Sequence, residues 1–315
     1  MKVVSILLCA ATLAVVTSAT AEDTLKLAIP QRGTWDTSIS EIGQKAGIFK
    51  KHGLNLELLF TGAGAEVVGG IIGGSIDLSM ASGISTTLGA FGKGAPLRIF
   101  SSEMAGQPEI YWFVPADSPI KTLADMNGKT IGYSAAGSSS HAALLALLAQ
   151  EKINAKPTAL GGVTASITAG MSGQVDAAWS AMPYGLKDYE EGKIRIIARG
   201  SDVPSLRGQT VRVLIANADA LDKKKDAILR FVKGYREAVD WMYSDPAAVE
   251  MYAKKTNMAP AIIRQSIDEF QPKATMQSDE LKDLNGAMQD AVKLKFLEKP
   301  LTPEQLKVFV QIPPK

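Results

Sequence analysis

The sequence has one cysteine, Cys9, and two histidines, His52 and His141, in 315 residues. A lone thiol makes no internal disulfide, and two imidazoles are too few for a histidine-based metal cluster. Neither charge sign is in excess: 34 Lys and Arg stand against 32 Asp and Glu, a formal net charge of +2. That balance gives no electrostatic reason to expect a nucleic-acid partner or a strong attraction to membranes. Long apolar runs are scarce as well, and the longest, Val3 to Val16, falls short of the roughly 20 residues of a membrane span.

Lys2 precedes that run and Ala19-Thr20-Ala21 follows it, the layout of an export leader. Met1 to Ala21 is expected to be cleaved, so that the mature chain begins at Glu22 and works in the periplasm. Leu8 stands where a lipoprotein needs a small residue before Cys9, so no lipid anchor is expected. Cleavage takes Lys2 and Cys9 with it. The mature chain then keeps 294 residues and a net charge of +1, and it is long enough for a conventional core in two domains.

What the chain does have is a regular alternation of apolar strands and amphipathic helices. Leu25 to Ile29 reads as the first strand, ended by Pro30 and followed by the loop Gln31-Arg32-Gly33-Thr34-Trp35-Asp36. A helix is predicted from Thr37 to Lys51, with Ile39, Ile42, Ala46 and Phe49 on one face and His52-Gly53 closing it. Strands follow at Leu54 to Phe60, Ile76 to Ala81, Leu97 to Phe100 and Ile110 to Val114. The pattern restarts after Pro115, with strands at Thr130 to Tyr133, Thr158 to Leu160, Val175 to Trp179 and Ile194 to Ala198. A last strand, Val211 to Ala216, leads into a helical tail from Asp219 onward.

Such alternation builds right-handed βαβ units and mainly parallel sheets whose ligands lie beyond the carboxyl ends of the strands. The expected architecture is a two-lobed α/β fold, each lobe a mainly parallel sheet flanked by helices. Lobe I takes residues 22–115 and 209–315, and lobe II is an insertion of residues 116–208. Two crossings, near Val114 to Asp117 and near Gly208 to Arg212, make a hinge with a cleft between the lobes. Gly73-Gly74-Ser75-Ile76-Asp77-Leu78 and Met171-Ser172-Gly173-Gln174-Val175-Asp176-Ala177 resemble one another. They suggest one plan used twice, with Ser82-Gly83 and Ser180-Ala181 as counterparts.

One turn carries the strongest chemical suggestion. Ser134-Ala135-Ala136-Gly137 leads from a strand into Ser138, Ser139 and Ser140, any of which can cap the helix that His141 to Leu148 continues. Unpaired N–H groups and the partial positive charge of a helix start, ringed by small hydroxyls, offer a seat for an oxyanion. Trp35 is a candidate flat wall for a ligand, with Trp179 and Met182 as further apolar candidates. Arg32 and Arg212 are the cations nearest the cleft and can pair with a carboxylate or sulfonate in bidentate fashion. Glu103 offers an acceptor to an amine.

Five segments in order, Gly47 to Leu54, Gly74 to Leu78, Leu123 to Gly137, Gly173 to Ala178 and Tyr235 to Ala238, resemble a known family. These are the periplasmic substrate-binding proteins of ABC transporters for nitrate, taurine, aliphatic sulfonates and thiamine-pyrimidine precursors, and the resemblance covers nearly the whole mature chain. It implies a type II periplasmic binding protein, a monomer without a cofactor, that closes on a small ligand and hands it to membrane-embedded permease subunits. It also implies cleft loops at Arg32, Gly33, Thr34 and Trp35, at Ser82 and Gly83, at Ser138, Ser139, Ser140 and His141, and at Ser180, Ala181 and Met182.

Enzyme motifs are missing. Ser138 and His141 stand three apart, but no Gly-x-Ser-x-Gly elbow surrounds the serine and no acid is assigned to orient the histidine. No Gly-rich loop leads to a Lys-Ser or Lys-Thr pair that would cradle a phosphate. The expected function is capture of a small anion, a sulfonate, taurine, nitrate or carboxylate, for an importer. Trp35 and Trp179 leave a pyrimidine or aromatic ligand open, and a ligand-sensing subunit for a signalling receptor is the other alternative.

Overall fold

The computed structural model describes residues 22–61, 65–276 and 279–313. The expected leader, Met1 to Ala21, lies outside the described residues. Among those described, ten strands form: Asp23–Pro30 (β1), Leu54–Thr61 (β2), Leu78–Gly83 (β3), Leu97–Ala105 (β4), Ile110–Pro115 (β5), Thr130–Tyr133 (β6), Lys156–Ala159 (β7), Ala178–Ala181 (β8), Ile194–Arg199 (β9) and Thr210–Asn217 (β10). They make three sheets, ordered β2-β1-β3-β10-β4, β8-β5-β9 and β6-β7.

β1 runs parallel to β2 and β3, and β6 runs parallel to β7. β10 is antiparallel to β3 and β4, and β5 is antiparallel to β8 and β9. The two-lobed α/β fold is therefore present with mixed rather than mainly parallel pairing. β5 and β10 are the strands that begin after each passage between the halves, and each runs against its neighbours. Because β5 pairs only with β8 and β9, the first crossing lies at residues 106–109, ahead of the expected Val114 to Asp117. After β9, Val203 and Leu206 still pack in the core of the second half; the second crossing follows at Gly208-Gln209, and the two crossings meet where Gly106 N donates to the Gln209 carbonyl at 2.9 Å.

Period-2 alternation places helices on both sheet faces. Leu25, Leu27 and Ile29 of β1 pack with Phe49, Phe231 and Tyr235, whereas Ala28 packs with Val67, Ile71 and Leu88 on the other face. In the second half, Trp112 and Val114 join Trp179 and Leu144, while Tyr111 and Phe113 face Ala178 and Met182. The helix Lys225–Ser244 buries Ile228, Phe231, Val232, Tyr235, Val239 and Met242, the stripe its sequence spacing predicts. The helix expected over Thr37 to Lys51 is broken. A 3-10 turn at Asp36–Ser38 leads into helices Ile39–Lys45 and Ile48–Lys51, separated at Gly47, whose φ of 78° an α-helix cannot contain. No helix among the described residues is long and apolar enough to cross a membrane.

The internal repeat has a shared mechanical role. Asp77 Oδ2 accepts from Lys26 N of β1 at 2.9 Å, and Asp176 Oδ2 accepts from Thr130 N of β6 at 2.8 Å. Asp77 thus holds β1 at mid-strand, and Asp176 holds the first residue of β6.

Candidate functional site

β1, β3 and β8 end, and the helix Ser139–Glu151 starts, around one cavity of about 40 Å³. A single water needs roughly 10–15 Å³ on this measure, so the space takes a head group of about three or four water-sized units. Gln31, Thr34, Asp36 and Thr37 line it from the loop after β1, and Ala81, Ser82 and Gly83 from the end of β3. Glu109 enters from the first crossing and Arg212 from β10, while Ser134, Ser138, Ser139, Ser140, Trp179 and Ala181 close it from the other half.

The three serines divide their work. Ser138 is the N-cap, its Oγ accepting from His141 N at 3.2 Å. Ser140 is buried, and its Oγ accepts from Ser134 N at 3.0 Å and lies 2.9 Å from Ser134 Oγ. These two hold the turn. Ser139 Oγ accepts from Arg212 Nε at 3.1 Å, which leaves the Ser139 hydroxyl proton for another acceptor. Opposite, the helix Ile84–Gly92 starts at Gly83, and a Cβ there would lie 3.2 Å from both the Gly137 carbonyl and Ser139 N. The Thr86 hydroxyl donates to that same carbonyl. Two helix N-termini, one from each half, thus meet beside the cavity.

Arg212 is the centre of charge. Its Nη1 lies 2.5 Å from Asp36 Oδ2 and its Nη2 2.7 Å from Glu109 Oε1. Burial opposes the guanidinium charge, but Glu109 and Asp36 outweigh it and hold Arg212 firmly protonated. Burial also pushes the Glu109 carboxyl above the usual carboxylate range, with Arg212 pulling the other way. Among the described residues, Asp36 Oδ1, Glu109 Oε2, Gln31 Nε2 and Trp179 Nε1 are buried with no hydrogen-bond partner. All four belong to residues of the cavity wall. The Trp179 backbone is fixed from behind, its carbonyl accepting from Ser166 Oγ at 2.7 Å.

Of the residues expected at the site, Thr34, Ser82, Gly83, Ser138, Ser139, Ser140, Trp179, Ala181 and Arg212 line the cavity. The structure does not bring the others there. Trp35 turns inward and meets Tyr243 and Tyr252 edge-on, at 5.9 and 5.1 Å between ring centroids. Arg32 is 61% exposed, over the Phe60 ring and 4.0 Å from Glu41. Gly33 has a φ of 107° and stands against Tyr184 of the other half, where a Cβ would lie 2.8 Å from the phenol oxygen. Glu103 lies within β4 rather than after it, fully buried, accepting from Tyr235 Oη at 3.0 Å and from Ala81 N. His141 stacks on Tyr133 at 4.1 Å, its Nδ1 accepting from Gly137 N, and borders a separate groove of about 570 Å³ with Phe296. Ser180 and Met182 are one residue out of phase with Trp179 and Ala181, so they face the opposite side of β8, where Met182 packs with Tyr111.

Sequence reasoning missed Gln31, Asp36, Ala81, Thr86 and Glu109. Gln31 and Ala81 owe their position to left-handed backbone, with φ of 69° and 49°. Neither is a glycine, so nothing in the residue type marks that conformation. Asp36 and Glu109 meet only through Arg212, far away in the chain. No group of three or more His, Cys, Asp or Glu side chains that could hold a metal ion occurs among the described residues.

Comparison with known proteins gives a consistent picture. A family model described as NMT1/THI5 like matches residues 41–249. A relative in Brucella abortus (strain 2308), provisionally named a binding protein, is 26% identical over 224 residues, or 70% of this chain and 68% of that one. The solved alkanesulfonate-binding protein SsuA of Xanthomonas axonopodis pv. citri, bound to MOPS, superposes with a TM-score of 0.74 at 20% identity, over 91% of this chain and 99% of that one. A conserved Candida albicans gene product, described as having the generic periplasmic binding protein fold, also has a TM-score of 0.74, at 14% identity over 93% of this chain and 97% of that one. The shared architecture is the two-lobed α/β fold of periplasmic binding proteins.

Proposed function

The chain belongs to the NMT1/THI5 like family, and from that premise we propose that it is the solute-binding subunit of an ABC importer. It is exported through Met1 to Ala21, captures a small molecule between its halves outside the cytoplasm, and delivers it to permease subunits. The observation that carries this reading is the cavity itself: its walls come from both halves, and four of its buried polar atoms lack partners in the protein. A buried polar group left unmatched costs on the order of 1–3 kcal/mol. A ligand that satisfies such groups from both sides therefore stabilises the closed form alone, and that differential is what drives closure by population shift.

The ligand's acceptor end is an oxyanion, a sulfonate or carboxylate. It sits against the first turn of Ser139–Glu151, within reach of the Ser139 hydroxyl and the unpartnered Trp179 and Gln31 N–H groups. Arg212 contributes as a neutralised anchor rather than as a free cation, because two carboxylates already occupy it. The test is the thermal unfolding midpoint of ligand-stripped protein against alkanesulfonates, taurine, nitrate, carboxylates and aminopyrimidines. A ligand of the folded state raises the midpoint with concentration, following RT ln(1 + [L]/Kd). The expected result is a rise with sulfonates or carboxylates. A rise only with aminopyrimidines would contradict the oxyanion seat, and no rise with any compound would contradict the importer reading.

A further inference from the structure

The acceptor-rich wall of the cavity is as specific as its donor-rich wall. Asp36 is 1% and Glu109 0% exposed, both border the cavity, and Asp36 Oδ1 and Glu109 Oε2 accept no hydrogen bond among the described residues. Arg212 lies between the two carboxylates and contacts the other oxygen of each. One guanidinium against two carboxylates leaves this wall with no surplus positive charge. A simple anion there gains nothing from Arg212 and is opposed by both acids.

We propose that Asp36 and Glu109 form an ammonium subsite, so that the ligand is a short zwitterion rather than a plain anion. A primary ammonium has three N–H donors and satisfies Asp36 Oδ1 and Glu109 Oε2 together. The cavity of about 40 Å³ keeps the two charged ends only a few atoms apart. The inference rests on the oxyanion seat proposed above for the ligand's other end, and it adds the opposite pole.

Calorimetry of the ligand-stripped mature protein with matched probes separates the two poles. The set is ethanesulfonate against 2-aminoethanesulfonate, propionate against 3-aminopropionate, and ethylammonium, which has no oxyanion. The amino member of each pair binds at least tenfold tighter than its partner, and Glu109→Gln or Asp36→Asn brings that ratio close to one. The pairwise ratio is the readout, so a general loss of affinity in a variant does not imitate the effect. Equal or tighter binding of the plain anions overturns the ammonium subsite and leaves the oxyanion seat standing. Binding of ethylammonium with no gain from an added oxyanion supports the subsite and overturns the oxyanion seat. Binding by none of the probes overturns both.

Discussion

Arg212 links three parts of the site through one side chain. It leaves β10 just after the second crossing and pairs with Glu109 at the first crossing, with Asp36 after β1, and with Ser139 in the other half. A charge so deeply buried is tolerated only because its partners are fixed around it. The sequence singles out Arg212 as a cation beside the hinge. It conceals the two acids, since a buried acid near Arg212 has the same one-letter identity as a solvated one. Trp35 and Trp179 show the same limit. Both are aromatics next to a binding loop, and only the distant Tyr243 and Tyr252 decide that Trp35 turns into the core.

Glu103, directly behind this cluster, makes a residue-scale prediction. Burial first, and then the Asp36 charge, push its carboxyl from an ordinary 4.5 up to about 8, against the pull of Arg212 and of the Tyr235 hydroxyl. The folded protein therefore keeps a proton that the unfolded chain has lost between those values. Stability is fully present below about pH 4.5 and falls as pH rises toward about 8, by at most about 1.4 kcal/mol per pH unit from this group. A glutamine can accept from Ala81 N and donate to Tyr235 Oη, so Glu103→Gln keeps both contacts without the titration. Denaturant unfolding from pH 5 to 8 is expected to show a flatter decline in the variant, and an unchanged slope would remove Glu103 as its source.

At the scale of elements, the serine turn was the most legible part of the chain. β6 spans the residues its sequence predicts, and the helix behind it begins where the hydroxyls cluster, because local capping chemistry settles both. The repeated Asp77 and Asp176 were legible as a pattern, and the structure supplies the cause: each carboxylate accepts a backbone N–H from another strand of its own half, Lys26 N of β1 and Thr130 N of β6. Strand direction was not legible. Helix and strand periods are the same whether β10 runs with or against β3, and its direction is set by the return from the other half.

Gly83 carries the element-scale prediction. Its φ of −62° suits any residue, so alanine costs no backbone strain there. Yet its Cβ would come within 3.2 Å of the Gly137 carbonyl and Ser139 N, in the seam where the two helix starts meet. Gly83→Ala is expected to hold the halves slightly apart, lowering ligand affinity about tenfold while moving the ligand-free unfolding midpoint by less than a few degrees. Affinity equal to that of the unsubstituted protein would show that the seam does not need to close for binding.

The whole molecule is two α/β halves joined by crossings at residues 106–109 and 208–209, with the cavity beside them. The sequence made the two-lobed α/β class visible, because alternating strand and helix periods are chain-level signals. It misplaced the first crossing, since an apolar strand such as β5 pairs equally well with either sheet until long-range partners are known. Closure of such halves on a small molecule is the central claim, and its most direct test is a crystal structure of the protein with the tightest ligand from the panels. The account predicts ligand density enclosed between Ser139, Trp179, Asp36 and Glu109, with contacts from both halves. Density confined to the groove beside His141 and Phe296, or touching one half alone, would contradict it.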